Sequence, residues 1–150
     1  MREEENSKYI VDTSVIIKWL VLEEKDLSFA LGLLNDFINR KIHISIPIFV
    51  HWEINNFLGR NLDLERAIGK YSYFKLLELS EQYLSLSATS KAFEIMKKFH
   101  KVSFYDASYH AMAIEKGMIF ITADKKYYEK TKDLGSIMFL ADYNRPFRNT

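Results

Sequence analysis

Residues 8–17 read KYIVDTSVII, an apolar run that ends at a carboxylate and two hydroxyl side chains before apolar residues resume. Residues 9–11 are β-branched or aromatic, and a fully apolar run of this kind predicts a strand buried on both faces. Because ligands bind at the carboxyl ends of strands in open parallel sheets, Asp12 stands where chemistry is usually done. The simpler interpretation is a helix cap, since Asp, Thr and Ser accept hydrogen bonds from free amides at a helix start. The stretch alone favours the cap, and the rest of the chain changes that balance.

The composition is that of one folded domain. The chain has 150 residues, the usual size of a single domain, and its 48% of hydrophobic residues excludes wholesale disorder. No apolar run approaches the roughly 20 residues that span a bilayer, and the polar start MREEEN is unlike a secretory signal. Without cysteine there is no disulfide framework and no thiolate metal site. We expect an intracellular, cytoplasmic domain over residues 1–150, with its core in roughly 8–142 and no membrane association.

Strand-like and helix-like segments alternate along the chain. Strands are predicted at residues 9–11, 42–46, 84–86, 118–122 and 137–140. Helices are predicted at residues 14–20, 27–41, 48–60, 64–79, 90–100, 103–117 and 125–132. This alternation predicts βαβ units, and therefore an α/β fold with a parallel sheet and helices on both faces.

Two helical acids stand beside apolar faces. Glu53 borders the apolar face of the helix at 48–60, where a solvated charge beside the core is the simple interpretation. Asp106 shares a helical stripe with His110 and Ala113, on a side whose small residues allow close approach to a sheet. A capping box from Ser103 to Asp106 explains the spacing, but it does not explain the inward direction.

Asp124 ends the segment IFITAD and repeats the pattern of Asp12, an apolar strand followed by a hydroxyl and a carboxylate. A helix cap is again the alternative. If the two strand-end aspartates and the two helical acids converge above the sheet, their like charges raise each other's pKa. A hard divalent cation resolves that conflict, and oxygen ligands suit Mg²⁺ or Mn²⁺ rather than zinc. An acidic site of this kind with hydroxyls nearby indicates phosphate-ester chemistry.

The order of these motifs resembles that of a PIN-domain ribonuclease, specifically a VapC-type toxin. The family order covers roughly residues 8–142, nearly the whole chain, and the four motifs together are more specific than any one of them. The segments that carry the resemblance are YIVDTSVI at 9–16, IPI at 46–48 with WEIN at 52–55, YDASY at 105–109 and ITAD at 121–124.

The resemblance implies a single PIN-like domain, three-layer α/β/α with a central, mostly parallel sheet of about five strands. It implies endonucleolytic cleavage of RNA with Mg²⁺ or Mn²⁺, and inhibition by a small VapB-like antitoxin. Ser14 and Thr122 are implied as polar supports of the site. His110 departs from the family pattern. We interpret it as a satisfied, partly buried histidine, with support of the site from its position four residues after Asp106 as the alternative. The acidic quartet implied as both catalytic and metal-binding consists of Asp12, Glu53, Asp106 and Asp124.

Other classes fit the sequence less well. A phosphatase or phosphoacceptor domain also places an aspartate at a strand end. It would carry a second acid two residues after that aspartate or a lysine at the end of a late strand, but Ser14 and residues 122–123 stand at those positions. A dinucleotide-binding domain needs a glycine-rich first turn, which residues 12–15 do not provide. The remaining alternative is a PIN-like module that binds RNA or protein without cleavage. A missing acid would mark such a module, and none is missing.

Binding surfaces are predicted in two places. The formal net charge of +1 gives no global signature of nucleic-acid binding. Lys125 and Lys126 are nevertheless predicted to hold the RNA backbone, with a solvated turn as the alternative. The helices before residue 80 carry a surplus of large apolar side chains, which together with the resemblance predicts a homodimer; packing within the monomer core is the alternative. The surplus consists of Phe57, Leu58, Leu62, Leu64, Tyr71, Tyr73, Phe74, Leu76 and Leu77.

Overall fold

The computed structural model describes residues 6–143, which form a five-stranded sheet with helices on both faces. The strands are β1 (Ser7–Val11), β2 (Ile42–Pro47), β3 (Ser80–Gln82), β4 (Ile119–Thr122) and β5 (Ile137–Phe139). They are ordered β3-β2-β1-β4-β5 across the sheet, and each neighbouring pair is parallel. The predicted three-layer α/β/α class with a mostly parallel sheet of about five strands is confirmed.

Six of the seven α-helices within residues 6–143 begin and end within three residues of the predicted positions, whereas the helix predicted at 90–100 begins four residues earlier, at Leu86. The seven are α1 (Thr13–Val21), α2 (Leu27–Ile38), α3 (Val50–Asn61), α4 (Leu64–Leu76), α5 (Leu86–Lys98), α6 (Phe104–Lys116) and α7 (Lys125–Thr131). As predicted, the hydroxyl of Ser103 caps α6, and Gly117 ends that helix in the left-handed region with φ 65°. Within residues 6–143, no helix is both long enough and apolar enough to cross a membrane.

The third strand lies earlier in the chain than predicted, and the prediction of a strand at 84–86 is wrong. Leu86 begins α5, and the hydroxyl of Ser85 caps that helix by accepting a hydrogen bond from the amide of Ala88 at 3.0 Å. The observed β3 has three polar residues and lies at the edge of the sheet. An edge strand this short and polar has no apolar alternation by which it could be recognised.

The position of β1 in the middle of the sheet determines where the functional side chains meet. β1 pairs with β2 on one side and β4 on the other, and Val11 lies opposite Ile121. Both of these residues are fully buried. Because the two strands are parallel and end at the same level, the next residues, Asp12 and Thr122, come side by side at the carboxyl edge of the sheet.

Candidate acidic site at the carboxyl edge of the sheet

Asp12 is both the cap of α1 and the most buried acid of the predicted quartet. The residue is 7% exposed. One carboxylate oxygen, Oδ1, accepts hydrogen bonds from the amide of Val15 at 3.2 Å and from the hydroxyl of Ser14. The other, Oδ2, accepts a hydrogen bond from the hydroxyl of Thr122 at 2.6 Å. The cap interpretation is therefore correct, but the cap uses only one of the two carboxylate oxygens.

Burial makes the charged form of Asp12 unfavourable. Burial raises the pKa of Asp12 from 3.8 to about 6, although the hydrogen bonds from Ser14, Thr122 and the amide of Val15 favour the anion. The charge of Asp106 raises the pKa further. At neutral pH the site therefore holds a carboxylate whose negative charge is only partly compensated by the chain.

Glu53 is held by the hydroxyl groups of Thr13 and Tyr109, neither of which was predicted as a site residue. It lies in the first turn of α3, where its Oε1 accepts a hydrogen bond from the hydroxyl of Thr13 at 3.1 Å. The phenol of Tyr109 donates to the same oxygen at 2.5 Å. Tyr109 is 2% exposed, and burial, followed by the charges of Glu53 and Asp12, raises the pKa of its hydroxyl well above 10. The phenol therefore stays protonated and acts as a donor.

The sequence contained a signal for these two residues. Thr13 directly follows Asp12, and Tyr109 follows Asp106 by three residues, which is the spacing of one helical turn. A buried tyrosine needs a partner for its hydroxyl. Its partner, Glu53, lies 56 positions earlier in the chain and became evident only from the fold.

Asp106 lies in the first turn of α6 and is half-buried. Burial raises the pKa of its carboxyl group, against the effect of a hydrogen bond from Ser103. The nearby charges of Asp124 and Glu53 raise the pKa further. The pKa of Asp106 therefore depends on acids from two other parts of the fold, Glu53 in α3 and Asp124 at the start of α7.

Asp124 is the exposed member of the quartet. Its carboxylate caps α7 by accepting a hydrogen bond from the amide of Tyr127 at 3.0 Å. Its own amide donates to the hydroxyl of Thr122 at 3.0 Å. Thr122 therefore connects the two strand-end aspartates, since the same hydroxyl donates to Asp12.

The four acids converge electrostatically around Asp106 without forming a closed cage. Asp106 is electrostatically coupled to Asp12, Asp124 and Glu53. Within residues 6–143, however, no three acidic, histidine or cysteine side chains lie close enough together to form a metal-binding group. The oxygen-only donors fit Mg²⁺ or Mn²⁺, because Mg²⁺ is usually held by one or two carboxylates together with waters and substrate phosphate. An open arrangement is compatible with that mode of binding.

His110 is a structural residue with both ring nitrogens in use, as predicted, although it is fully rather than partly buried. Its Nε2 lies 2.7 Å from the carbonyl oxygen of Gly135, which can only accept a hydrogen bond, so Nε2 carries the proton. Its Nδ1 then accepts a hydrogen bond from the hydroxyl of Tyr127 at 2.9 Å. Burial lowers the pKa of the imidazole, which keeps the ring neutral. His110 accordingly supports the packing of α6 rather than supplying a metal ligand.

The fold and the acidic edge define a class, an α/β domain with carboxylates at the ends of its central parallel strands. The chain belongs to the PIN domain family, whose family model matches residues 9–133. The predicted resemblance is thereby confirmed. No protein with a curated description is significantly similar in sequence.

Several solved structures share the fold. DNA-bound VapBC from Salmonella typhimurium superposes with a TM-score of 0.66 at 16% identity, covering 89% of this chain and 98% of that chain. VapBC2 from Rickettsia felis, bound to a promoter DNA fragment, gives 0.64 at 18% identity, covering 88% and 96%. The sarcin-ricin loop cleaving toxin VapC20 of Mycobacterium tuberculosis gives 0.62 at 16% identity, covering 81% and 93%. Identities this low show a shared fold and nothing finer.

Proposed function

We propose that this chain is a Mg²⁺- or Mn²⁺-dependent endoribonuclease and the toxin of a toxin–antitoxin pair. The observation that carries the proposal is the buried carboxylate of Asp12, whose pKa is raised to about 6 by burial and, to a smaller extent, by the charge of Asp106. The charges of Asp124 and Glu53 in turn raise the pKa of Asp106. Perturbed pKa values cluster at functional sites, where burial and like charges shift the pKa of the groups that do the chemistry. One of the proteins that share the fold is described as a toxin that cleaves the sarcin-ricin loop, which supports RNA as the substrate.

The acids of the quartet would supply the metal ligands, and the surrounding hydroxyls would fix their positions. When bound, the cation supplies Lewis acidity, which acidifies water and stabilises the leaving oxygen of a phosphodiester. Ser14 and Thr122 donate hydrogen bonds to the two oxygens of Asp12. Among residues 6–143, neither hydroxyl is hydrogen-bonded to a histidine that would activate it as a nucleophile. The proposed reaction is therefore a hydrolysis in which water attacks phosphorus and no covalent enzyme intermediate forms.

Lys125 and Lys126 are proposed to contact the RNA backbone. Both are exposed in the first turn of α7, directly after Asp124. Cations beside an acidic site offset its repulsion of a polyanionic substrate, and phosphate contacts of this kind depend on salt rather than on base sequence. Replacing both residues with alanine should weaken binding of every RNA sequence to a similar extent and make binding less sensitive to salt.

A binding module that does not cleave RNA is the second candidate. The observation that favours it is the open arrangement of the acids, since the described part of the chain contains no closed group of three ligands. Such a module would bind RNA or protein through the same edge of the sheet. An assay of RNA cleavage with and without metal distinguishes the two candidates, because the module would not cleave RNA under either condition.

The partner proposed for the toxin is a small VapB-like antitoxin. Two of the similar structures are VapBC complexes. In this chain an apolar cavity of about 430 Å³ lies between α1 and α4, lined by Trp19, Leu20 and Tyr73 among others. Arg66 and Lys70 are also part of its lining, so the cavity suits an amphipathic segment with acidic side chains.

The proposed homodimer would use the apolar residues of α4 that the monomer leaves uncovered. Of the predicted surplus, Leu58 and Phe74 are buried in the monomer core, whereas Leu64 and Leu76 are each 78% exposed. Packing within the monomer therefore accounts for only part of the surplus. Light scattering at tens of micromolar measures the oligomeric state, and a strict monomer would contradict the dimer while leaving the nuclease untouched.

The experiment that tests the proposed function is cleavage of mixed RNA by the purified chain with Mg²⁺, with Mn²⁺ and with EDTA. We expect internal cleavage with either metal and none with EDTA. The Asp12→Asn protein, purified in the same way and shown by circular dichroism to be folded, tests whether cleavage depends on the acidic site. Cleavage that persists in EDTA or in the Asp12→Asn protein would overturn the metal-dependent site, and binding without any cleavage would favour the module.

A further inference from the structure

The hydroxyls of Tyr109 and Thr13 converge on a single carboxylate oxygen. The phenol of Tyr109 lies 2.5 Å and the hydroxyl of Thr13 3.1 Å from Oε1 of Glu53, and the two hydroxyl oxygens are 3.0 Å apart. Within the described part of the chain, both hydrogen bonds of the Glu53 carboxylate fall on Oε1. The second oxygen, Oε2, is therefore the one available to a ligand.

The tyrosine ring is held on two sides by other rings. It stacks on Phe120 of β4, with ring centres 5.5 Å apart and planes inclined by 9°. Phe49, which precedes α3, packs against it edge-on at 5.2 Å. The carbonyl oxygen of Phe49 also accepts a hydrogen bond from the amide of Glu53 at 3.2 Å. The position of the phenol hydroxyl is thus fixed relative to both the sheet and the start of α3.

We propose that Tyr109 is a positioning residue that, together with Thr13, orients Glu53 toward the divalent cation of the proposed nuclease. A glutamate side chain loses considerable rotamer freedom when it is ordered. Because two fixed donors already hold Glu53 in the unliganded protein, less conformational entropy is lost when a ligand binds. Groups that orient metal ligands typically contribute 10- to 100-fold to metal affinity or activity. The inference rests on the proposed function, because it concerns the same site.

Tyr109→Phe removes the hydroxyl and keeps the ring that packs against Phe120 and Phe49. The primary measurement is Mn²⁺ binding to the purified full chain by isothermal titration calorimetry, without RNA. We expect an affinity roughly 10- to 100-fold weaker than that of the wild type. The Mg²⁺ concentration for half-maximal cleavage should rise by a similar factor, while kcat at saturating Mg²⁺ should recover most of its wild-type value.

Tyr143→Phe is the matched control. Tyr143 is also buried, and its phenol donates to the carboxylate of Asp36 at 2.5 Å, so its substitution removes the same kind of bond away from the quartet. We expect this variant to lose thermal stability and to keep wild-type Mn²⁺ affinity. Thr13→Val and Thr13→Ser form a second pair, in which only valine should weaken Mn²⁺ binding. This pair keeps the test decisive if Tyr109→Phe fails to fold.

The outcomes separate this inference from the proposed function. If the wild-type chain neither binds Mn²⁺ nor cleaves RNA with Mg²⁺ or Mn²⁺, both are overturned. If the wild type binds Mn²⁺ and cleaves RNA, but folded Tyr109→Phe binds Mn²⁺ equally well, only the positioning role is overturned. A further check is Glu53→Gln, because Tyr109→Phe should have little additional effect on Mn²⁺ affinity once Glu53 is no longer a carboxylate.

Discussion

The two strand-end aspartates share a sequence pattern but occupy different environments. Asp12 and Asp124 each follow an apolar strand, and each caps a helix through the amide three residues later. Asp12 directly follows the central strand β1 and is 7% exposed. Its carboxylate accepts hydrogen bonds from the hydroxyls of Ser14 in α1 and Thr122 in β4. Asp124 stands two residues beyond the end of β4 and is exposed. Asp124 therefore lies one residue further beyond its strand than Asp12 does, and this difference accompanies the change from a buried to an exposed carboxylate.

Cleavage should depend more strongly on the buried aspartate than on the exposed one. Asp12→Asn should lower kcat/KM about a thousandfold or more, because a metal ion contributes several kcal/mol to transition-state stabilisation. Asp124→Asn should lower it less, since water can replace an exposed ligand more easily. The measurement is single-turnover cleavage of one RNA at saturating Mg²⁺. An equal loss of kcat/KM in the two folded variants would show that the burial of an acid does not determine its importance for cleavage.

Asp12→Asn should also stabilise the metal-free protein at neutral pH. The folded-state pKa of about 6 exceeds the ordinary value of 3.8, so the folded state binds more protons between these values. The ionisation of Asp12 therefore lowers the free energy of unfolding as pH rises from about 4 to about 6, and this loss persists above pH 6. The shift corresponds to at most about 3 kcal/mol in the free energy of unfolding at pH 7.

Thermal or urea unfolding in EDTA at pH 4 and pH 7 measures this effect. The gain from Asp12→Asn should be present at pH 7 and largely absent at pH 4, and Mn²⁺ should stabilise the wild type more than the variant. Comparing the two proteins at each pH cancels the contribution of His110, whose lowered pKa makes stability fall as pH drops below its ordinary value of 6.5. An Asp12→Asn protein less stable than the wild type at pH 7 would contradict the burial cost.

Sequence patterns predicted elements with strong periodicity and missed features that depend on neighbours distant in the chain. The apolar runs of β1 and β4 and the capped helix α6 were predicted because each carries its signal within a few residues. The edge strand β3 was misplaced because a polar strand of three residues has no such signal. At the site, a strand-end carboxylate can be recognised locally, whereas the bond from Tyr109 to Glu53 depends on how α3 and α6 meet.

Thr122 is hydrogen-bonded to both strand-end aspartates, so we expect its hydroxyl to contribute to activity. It is fully buried, donates to Asp12 at 2.6 Å and accepts the amide of Asp124 at 3.0 Å. Thr122→Val keeps the side-chain shape and should lower kcat/KM by roughly 10- to 100-fold. Thr122→Ser restores the hydroxyl and should keep most of the activity. If valine and serine give the same rate, the hydroxyl does not position the aspartates.

The smallest effect expected concerns the cap made by Asp124. Asn is as good a cap as Asp, so Asp124→Asn should change the free energy of unfolding in EDTA by only a few tenths of a kcal/mol. Asp124→Ala removes the acceptor for the amide of Tyr127 and should cost about 1 kcal/mol. Urea unfolding resolves this difference, and both variants should share the same loss of cleavage because neither keeps the carboxylate. An alanine variant as stable as the asparagine variant would mean that the cap does not stabilise α7. In that case the carboxylate would contribute only to the site, and the two aspartates would differ in structural role as well as in burial.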